Sequence, residues 1–389
     1  MKRFSLILLI GLSFGAYATT LSGYVFHDKN NNGIKDKGEE GLKGVAVSDQ
    51  MNVVQTNADG LYQIDATGYG FVFISVPDGY KATKSYYLKT SDSSNGELDF
   101  PLIKITTPIE FKFIHASDTH ISEASLNRTQ RLKALADSLK PEFVLVTGDL
   151  IKDALRVPES EAAPLYEMYV RETKKFAMPV WSAAGNHENF GIERQTSLVS
   201  KKNPLYGKKM FHHYLGPNYY SFNYGGIHFI ALDDIDFEDL WYYGHVDSVQ
   251  VEWLKKDLAA VPATVPVITF AHMPMFSGGM SLSNFEETGP GRSLERQKGV
   301  LHYRHVVSNA QELLAILQTH PYPISLAGHF HSRQVFNFES RGQKTRFEQA
   351  AAVVGDGGEG NIVMRSGITV YAVKNGQIGE GKFIPLDKK

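Results

Sequence analysis

The chain has 389 residues, of which 42% are hydrophobic and 21% are charged, with a formal net charge of −2 and no cysteine. This balance is that of a globular protein long enough for one domain of ordinary size and a small module. The near-neutral charge argues against nucleic acid or an anionic membrane as a general partner. The lack of cysteine excludes disulfides and thiolate ligands, so any metal ion must be held by nitrogen and oxygen atoms.

Residues 1–18 have the layout of a secretory signal peptide. Lys2 and Arg3 precede an apolar run, and Ala16 and Ala18 provide small side chains where a signal peptidase reads. The apolar run is shorter than the ~20 residues that a membrane-spanning helix needs, although a membrane anchor is the alternative. We therefore expect cleavage after Ala18, export to the periplasm or the medium, and no membrane span in the mature chain.

Residues 19–80 predict a small β-sandwich module. Gly, Asn and Asp turns separate short alternating runs, which lie at 23–26, 45–47, 61–64 and 71–76. No helical period occurs among them. Residues 81–108, with a polar stretch in their middle, are expected to be a linker or connecting strand.

A loop of this module matches the calcium-binding pattern D-x-[DN]-x-[DN]-G-x5-E. The candidate ligands are five side chains and one backbone carbonyl: Asp28, Asn30, Asn32, Asp36 and Glu39, with the carbonyl of Ile34. The helices that usually flank such a loop are missing, and a polar turn that binds no ion is the alternative. The stretch resembles the β-sandwich repeats of bacterial surface proteins, which are related to prealbumin-like modules, and the turn at 57–62 is typical of them.

From residue 109 onward, apolar strands alternate with helical stretches. Strands are predicted at 111–114, 143–146 and 265–270. The helical stretches carry apolar residues on one face: Leu132, Leu135 and Leu139, then Val251, Leu254 and Leu258. Asp247 and Ser308 are predicted N-caps of two helices. The alternation predicts an α/β layered domain over residues 109–389, with a β segment at its carboxyl end.

Five polar motifs directly follow apolar strands of this domain. In chain order they are Asp118-Thr119-His120, Gly148-Asp149, Gly185-Asn186-His187-Glu188, Ala271-His272 and Gly328-His329-Phe330-His331. Loops at the carboxyl ends of strands are where ligands gather in open α/β sheets. The glycines suit turns in which the backbone comes close to a site. Each motif alone is a weak signal, but together they predict a metal centre with carboxylate, amide and imidazole ligands.

These motifs, D-x-H, GD, GNH-E/D, a lone His and GH-x-H, resemble in full and in order the signature of the calcineurin-like metallophosphoesterase superfamily, over about residues 111–333. The resemblance implies two facing mixed β-sheets flanked by helices, here preceded by a small all-β domain. It implies a site with two metal ions: Asp118, His120 and His331 at the first, Asn186, His272 and His329 at the second, and Asp149 between them. His187 would be a catalytic imidazole that binds no metal, with Glu188 or Asp153 orienting it.

The resemblance implies hydrolysis of a small-molecule phosphate ester, in which a hydroxide held between two divalent ions attacks phosphorus. His187 would protonate the departing oxygen, a task for which histidine side chains are generally suited. We expect a phosphomonoesterase; a phosphodiesterase acting on a cyclic nucleotide, a dinucleotide or a lipid headgroup is the alternative. A non-catalytic surface binding protein built on the same scaffold is the alternative from another class.

The ligand set fits Mn, Fe or Zn without selecting one of them. Purple acid phosphatases carry D-x-G and GD-x-x-Y, whereas His120 and Lys152 occupy those positions here, so an iron–tyrosinate centre is not expected. Three arginines follow His272 and could hold a phosphate or a second anionic group: Arg292, Arg296 and Arg304. The sequence identifies no other substrate-binding residue and no oligomeric state.

Overall fold

The structure, a computed structural model, describes residues 19–238, 240–289, 292–359 and 362–386. The predicted signal peptide, residues 1–18, lies outside the described residues. Among the helices of the described ranges, none combines the length and the hydropathy needed to cross a membrane.

Eight strands form the amino-terminal module: β1 (Thr19–His27), β2 (Ala46–Ser48), β3 (Val53–Gln55), β4 (Leu61–Ala66), β5 (Phe71–Ile74), β6 (Tyr80–Ala82), β7 (Tyr87–Lys89) and β8 (Phe100–Lys104). They pair in two four-stranded sheets, in the orders β4-β1-β8-β6 and β3-β2-β5-β7. The expected all-β amino-terminal part is therefore present.

Residues 81–108, which we expected to be a linker or connecting strand, contribute to both sheets of this module. Strand β8 pairs in parallel with β1, and β6 pairs antiparallel with β8, while β7 joins the other sheet beside β5. The polar stretch that suggested a linker forms the turn region between β7 and β8. The module thus extends to Lys104, because its last strand pairs with its first.

The rest of the chain contains six α-helices and eighteen strands within the described residues. The helices are α1 (Leu126–Leu139), α2 (Glu159–Thr173), α3 (Arg194–Ser197), α4 (Lys209–Leu215), α5 (Ser248–Ala259) and α6 (Ala310–Leu317). The strands are β9 (Glu110–Ala116), β10 (Phe143–Thr147), β11 (Val180–Ala183), β12 (Tyr220–Tyr224), β13 (Ile227–Ala231), β14 (Ile235–Phe237), β15 (Tyr242–Gly244), β16 (Val267–Phe270), β17 (Leu294–Gln297), β18 (Val300–Tyr303), β19 (Ile324–Ala327), β20 (Gln334–Ser340), β21 (Gln343–Gln349), β22 (Gly357–Glu359), β23 (Ile362–Met364), β24 (Gly367–Lys374), β25 (Gln377–Ile378) and β26 (Lys382–Pro385).

Two six-stranded mixed sheets organise these strands. The first sheet has the order β11-β10-β9-β24-β25, with β26 beside β24, and β9, β10 and β11 run parallel to one another. The second sheet has the order β12-β13-β16-β19-β21-β20, and β13, β16, β19 and β21 run parallel. Three short two-stranded ribbons lie outside them: β14-β15, β17-β18 and β22-β23.

The two sheets face each other across an aromatic interior. The ring of Phe143 in the first sheet lies 5.5 Å from that of Phe222 and 5.2 Å from that of Phe229, both in the second. Leu132 of α1 and Tyr166 of α2 pack with the outer face of the first sheet in a second buried cluster. Helix α5 buries Trp253 in the same core as the second sheet. The domain is therefore layered as helices, first sheet, second sheet and helix. The expected fold class is confirmed.

The predicted helices occur, and one of the two predicted N-caps is wrong. Helix α5 buries Val251, Leu254 and Leu258, and Asp247 caps it by accepting a hydrogen bond from the Gln250 amide at 2.9 Å. Helix α6 instead has Asn309 at its N-cap position. Ser308 is not the cap, because its hydroxyl accepts a hydrogen bond from the backbone amide of Tyr303 in the preceding hairpin.

The module packs directly on the two-sheet domain. The side-chain amide of Gln50 donates to the carbonyl of Tyr219 at 2.8 Å, and the indole of Trp253 donates to the hydroxyl of Ser48 at 3.1 Å. Phe73 of β5 packs against Trp253 with ring centroids 6.4 Å apart. Apolar residues of both parts therefore belong to one continuous buried cluster.

Candidate metal centre

The five motifs meet where the parallel strands of both sheets end. Strands β9, β10 and β11 are neighbours in the first sheet, and the motifs at 118–120, 148–149 and 185–188 follow them. Strands β16 and β19 are neighbours in the second sheet and precede His272 and the motif at 328–331. Because neighbouring parallel strands end at the same edge of a sheet, the five loops face one another between the two sheets.

The first group of candidate ligands contains Asp118, His120, Asp149 and His331. Each offers one ligand atom, and these atoms lie within 4.8 Å of one another. Nε2 of His331 is 3.2 Å from Oδ1 of Asp118 and 3.2 Å from Nε2 of His120. Nε2 of His120 is 3.6 Å from Oδ2 of Asp149. Two imidazoles and two carboxylates therefore converge on one point.

The second group contains Asp149, His272 and His329, whose ligand atoms also lie within 4.8 Å of one another. Nε2 of His272 is 3.2 Å from Oδ2 of Asp149. The same nitrogen lies 3.1 Å from Oδ1 of Asn186 and 3.1 Å from Nδ1 of His329. The structure thus brings all seven predicted ligands together in two groups that share Asp149.

The backbone at this centre is strained. Five of the seven candidate ligands have a positive φ, which side chains other than glycine rarely adopt: Asp118 (53°), His120 (37°), Asp149 (48°), His329 (72°) and His331 (54°). Such strain persists only where the surrounding structure enforces it, and it clusters at functional sites. Here it turns successive side chains of each loop towards the space between the sheets.

The glycines of the motifs permit this close approach. A Cβ on Gly328 would lie 1.8 Å from Oγ of Ser117, and one on Gly185 would lie 2.2 Å from the backbone nitrogen of Asp149. A Cβ on Gly148, whose φ is +77°, would lie 2.6 Å from the His272 side chain. The sequence-based expectation that these glycines bring backbone close to the site is confirmed.

The electrostatics of the centre favour a cation. Burial by itself would lower the pKa of His272, but the carboxylates of Asp149 and Asp118 outweigh it and raise that pKa to about 10. Burial would raise the pKa of Asp149, yet the neighbouring imidazoles of His272 and His187 hold it well below its usual range. A positive charge is thus stabilised between these groups. With only nitrogen and oxygen donors, this set fits two divalent metal ions.

His187 lies beside the two ligand groups without belonging to either. Its Nε2 is 3.8 Å from Oδ2 of Asp149, and its ring lies edge-on to that of His120, with 4.7 Å between the centroids. Its Nδ1 is 3.7 Å from Oδ1 of Asp153. Of the two carboxylates that could orient this imidazole, Asp153 is therefore the one beside it.

Glu188 instead holds two of the loops together. Its buried carboxylate accepts hydrogen bonds from the backbone amides of Leu150, Ile151 and Gly185, at 2.8, 3.1 and 2.6 Å. Burial, and then the charge of Asp149, raise the pKa of Glu188 to about 8. Its position three residues after Gly185 is that of the acidic residue in a capping box, which is a sequence signal that could have indicated this role.

Sequence reasoning missed His305, which contacts a candidate ligand. Nδ1 of His305 is 2.8 Å from Nε2 of His329, and Nε2 of His305 is 3.2 Å from the carbonyl oxygen of Arg292. Because the carbonyl can only accept, Nε2 of His305 carries the proton and its Nδ1 accepts from Nε2 of His329. These two hydrogen bonds leave Nδ1 of His329 unprotonated, and this nitrogen faces His272. A histidine that binds a metal through Nδ1 needs this tautomer. No motif spacing marks His305.

A cavity of about 630 Å³ opens over the centre. Candidate ligands and His187 form its floor, together with residues that the sequence did not single out as lining a site: Ser122, Ala124, Ser125, Tyr242 and Val354. Lys152, which stands where purple acid phosphatases carry Tyr, also lines it. All lining residues belong to the two-sheet domain, so the amino-terminal module is not part of this cavity's wall.

The predicted calcium ligands lie in one loop after β1: Asp28, Asn30, Asn32, Ile34, Asp36 and Glu39. They already hydrogen-bond within the loop. The amide nitrogens of Asn30 and Asn32 donate to Oδ2 of Asp36 at 2.8 and 2.7 Å. Asp28 accepts from the backbone amide of Gly33, and Glu39 from that of Asp36. These contacts account for the loop's shape without an ion, and calcium binding stays a prediction.

Two regions of the chain match known family models. The sequence model of the calcineurin-like phosphoesterase family matches residues 111–333, and that of the N-terminal region of calcineurin-like phosphoesterases matches residues 29–104. Purple acid phosphatase 23 of Arabidopsis thaliana is 24% identical over 309 residues, which cover 72% of this chain and 60% of the relative. Purple acid phosphatase 15 of the same plant is 24% identical over 298 residues, which cover 67% of this chain and 49% of the relative.

The chain therefore spans about half to three fifths of the length of these curated relatives. Among solved structures, a dimetal phosphatase from Danio rerio is 13% identical, with a TM-score of 0.42, covering 71% of this chain and 99% of that one. A purple acid phosphatase from yellow lupin (Lupinus luteus) seeds is 14% identical, with a TM-score of 0.41, and the match covers 94% of this chain and 69% of that one.

The match of the family model extends over more than half of the chain and includes all five motifs and the seven candidate ligands. The resemblance inferred from the motifs is confirmed: this chain belongs to the calcineurin-like phosphoesterase family.

Proposed function

We propose that the protein is an exported phosphohydrolase with a dinuclear metal centre, and that it cleaves phosphomonoesters. The observation that carries the proposal is the pair of ligand groups that share Asp149 beneath an open cavity, with the imidazole of His187, which belongs to neither group, among the lining residues. Family membership supports the hydrolysis of phosphate esters.

In this proposal, Asp118, His120 and His331 would hold one ion, Asn186, His272 and His329 would hold the other, and Asp149 would serve both. Two ions bound there would neutralise phosphoryl charge and activate water for in-line attack. Two carboxylates against two divalent cations leave a net positive charge of two, because the other five ligands are neutral. This surplus attracts a phosphate dianion.

His187 acts in this proposal as the general acid. Its ring lines the cavity, so Nε2 can reach the oxygen of the leaving alcohol, and protonation of that oxygen prevents expulsion of an alkoxide. Oδ1 of Asp153, 3.7 Å from Nδ1, belongs to the carboxylate beside the ring, and in this proposal that carboxylate orients the imidazole. Arg156 pairs with Asp153 in turn, with 3.2 Å between Nη1 and Oδ2.

Export is proposed from the layout of residues 1–18. Cleavage after Ala18 would leave a mature chain that begins at Thr19, the first residue of β1. Amino-terminal sequencing of the protein from the extracellular or periplasmic fraction tests this directly. An intact Met1 in exported protein, or retention inside the cell, would contradict it.

Calcium binding by the loop at 28–39 is a separate proposal, which the match to the calcium-loop pattern supports. Weak binding is expected, because asparagines occupy two ligand positions and lower the negative charge. Calcium titration of wild-type protein and of Asp28→Asn, followed by calorimetry, tests it. Identical heats for the two proteins would exclude a site at this loop.

The experiment that tests the main proposal uses mature protein stripped of metal and then reloaded with Mn, Zn or Fe. Hydrolysis of p-nitrophenyl phosphate is compared with that of bis-p-nitrophenyl phosphate for each metal. We expect turnover that depends on metal, is abolished by a chelator, and is faster on the monoester. Preference for the diester would make the enzyme a phosphodiesterase instead. Absence of turnover with every metal would favour a binding protein on this scaffold.

A further inference from the structure

The three arginines that follow His272 have different surroundings in the structure. Arg296 is exposed and forms a bidentate ion pair with Glu287, in which both N···O distances are 2.8 Å. Arg292 and Arg304 are instead turned inward, with the side chain of Arg292 16% exposed and Arg304 8% exposed. They flank the β17-β18 hairpin and come together at its base.

Two aromatic side chains hold the inward-facing arginines. The guanidinium carbon of Arg292 lies 3.9 Å from the ring centroid of Trp241. That of Arg304 lies 4.6 Å from the centroid of Tyr242 and 5.3 Å from that of Trp241. Cation–π contacts of this kind hold a guanidinium against an aromatic ring without neutralising its charge.

The charges of this pair are poorly compensated. Among the described residues, only one carboxylate lies within 4 Å of either guanidinium: Oε2 of Glu295, 3.9 Å from Nε of Arg292. Nε of Arg304 is buried and has no hydrogen-bond partner. Burial, followed by the positive charge of Arg304, lowers the pKa of Arg292. One buried and one partly buried cation that lie near the same indole, with a single carboxylate 3.9 Å away, would be stabilised by a further anion.

The pair is attached to the metal centre through its neighbours. Tyr242, which Arg304 stacks on, lines the cavity together with His187 and Asp149. His305, next in sequence to Arg304, contacts His329 at 2.8 Å and the carbonyl of Arg292 at 3.2 Å. The arginine pair therefore lies next to two residues of the centre, Tyr242 and His305, and neither arginine is itself among the residues that line the cavity.

We propose that Arg292 and Arg304 form an anion subsite that binds a second phosphate group of the substrate. Guanidinium groups bind phosphate through paired, charge-assisted hydrogen bonds, and two of them match the charge of a phosphate dianion. The inference rests on the proposed function and makes it more specific. The preferred substrates carry two phosphate groups, one cleaved at the metal centre and one held by the arginine pair.

A binding experiment on metal-free protein tests the subsite apart from catalysis. Chelator-treated protein is titrated with inorganic pyrophosphate by calorimetry, as wild type and as Arg292→Gln, Arg304→Gln and Arg304→Lys. Arg296→Gln is the matched control, because this arginine belongs to the same hairpin and is already paired. We expect saturable pyrophosphate binding in wild type and in the Arg296→Gln control. The Kd should rise at least about tenfold in Arg292→Gln and in Arg304→Gln, and the Kd of Arg304→Lys should lie between those of wild type and Arg304→Gln.

Circular dichroism of each variant distinguishes loss of the subsite from loss of the fold, and the Lys variant retains the charge if Arg304→Gln fails to fold. Absence of saturable pyrophosphate binding to wild type would overturn the subsite. Equal affinity in all the variants would overturn it as well.

A second experiment measures kcat/KM of the metal-loaded protein on adenosine 5′-monophosphate, adenosine 5′-diphosphate and adenosine 3′,5′-bisphosphate. In wild type and Arg296→Gln, kcat/KM for at least one doubly phosphorylated substrate should be at least about tenfold higher than kcat/KM for the monophosphate. Arg304→Gln should not show this preference. The two doubly phosphorylated compounds distinguish adjacent from separated phosphates.

The two proposals fail in different ways. Metal-dependent turnover of p-nitrophenyl phosphate without this preference would overturn the subsite and leave the proposed function standing. Pyrophosphate binding that depends on the arginine pair, in a protein that hydrolyses no ester with any metal, would support the subsite and overturn the proposed function.

Discussion

Asp149 joins the two halves of the metal centre. Its Oδ2 lies 3.2 Å from His272 and 3.6 Å from His120, which belong to different ligand groups. Its Oδ1 accepts a hydrogen bond from the backbone amide of His187 at 3.0 Å. One carboxylate therefore holds the ligand groups together and positions the loop that carries the proposed general acid.

Asp149→Asn should reduce the content of both metal ions, because it removes a negative charge that both would share while the retained Oδ1 can still accept from the His187 amide. Metal content per chain, measured by plasma mass spectrometry after dialysis, checks this. Asp137→Asn, at an exposed carboxylate of α1 that pairs with Lys133, is the control. Retention of two ions per chain in Asp149→Asn would refute the shared role.

His187→Ala should lower kcat by about 100-fold or more and leave metal content unchanged, because the imidazole acts as an acid and belongs to neither ligand group. Steady-state kinetics on p-nitrophenyl phosphate, together with metal analysis of the same sample, measure both. His213→Ala, at an exposed position of α4, is the control. Unchanged turnover would remove His187 from the mechanism.

At the scale of elements, the loops after parallel strands decide the geometry. The loops after β9 and β19 come from different sheets, yet the backbone amide of His329 donates to Oδ2 of Asp118 at 3.2 Å. Contact this close is possible because Gly328 has no side chain to push the loops apart. The strained φ angles of the ligands depend on this packing.

Gly328→Ala should lower the free energy of unfolding by about 1–3 kcal/mol and weaken metal binding, because its Cβ would lie 1.8 Å from Oγ of Ser117 and 2.7 Å from Oδ2 of Asp118. Denaturant unfolding with and without metal measures both effects. Gly355→Ala is the matched control, since a Cβ there meets no atom within 4 Å. Equal behaviour of the two variants would show that the loops have room to move.

At the scale of the whole molecule, the amino-terminal module is part of the core. Val76, just after β5, pairs in a short β-bridge with Phe222 of the second sheet. The hydroxyl of Ser221 donates to that of Ser75 at 2.9 Å, and both residues are buried. Removal of the module would expose apolar surface of β12 and α5, so its contribution includes stability as well as any positioning of the enzyme.

The module and the two-sheet domain should therefore unfold in one transition. Trp253→Ala, which removes an indole packed between Phe73 and Tyr219, should lower the free energy of unfolding by about 3–5 kcal/mol and shift the whole transition. Trp253→Phe, which keeps a ring but loses the hydrogen bond to Ser48, should have a smaller effect. Calorimetry is the measurement, and two separate transitions in wild type would contradict this coupling.

The sequence by itself determined the fold class and predicted the candidate ligands. Polar motifs that directly follow apolar strands predicted a metal centre, and the resemblance to the phosphoesterase signature implied the ligand roles of Asp118, Asp149, Asn186 and four histidines, because short motifs survive in the linear chain. The strand–helix alternation likewise predicted the layered domain. Ser308 was misassigned as a cap because a helix start and a hairpin end look alike over a few residues.

Only the tertiary structure decided which distant groups come together. His305 and the Arg292–Arg304 pair belong to no motif, since their positions depend on how the β17-β18 hairpin folds against the centre. Among three arginines of similar sequence context, burial against Trp241 and Tyr242 distinguished two from the surface-paired Arg296. The extent of the module was also decided by strand pairing, because β8 completes a sheet that begins with β1. Contacts between residues far apart in the chain leave no periodic pattern in it.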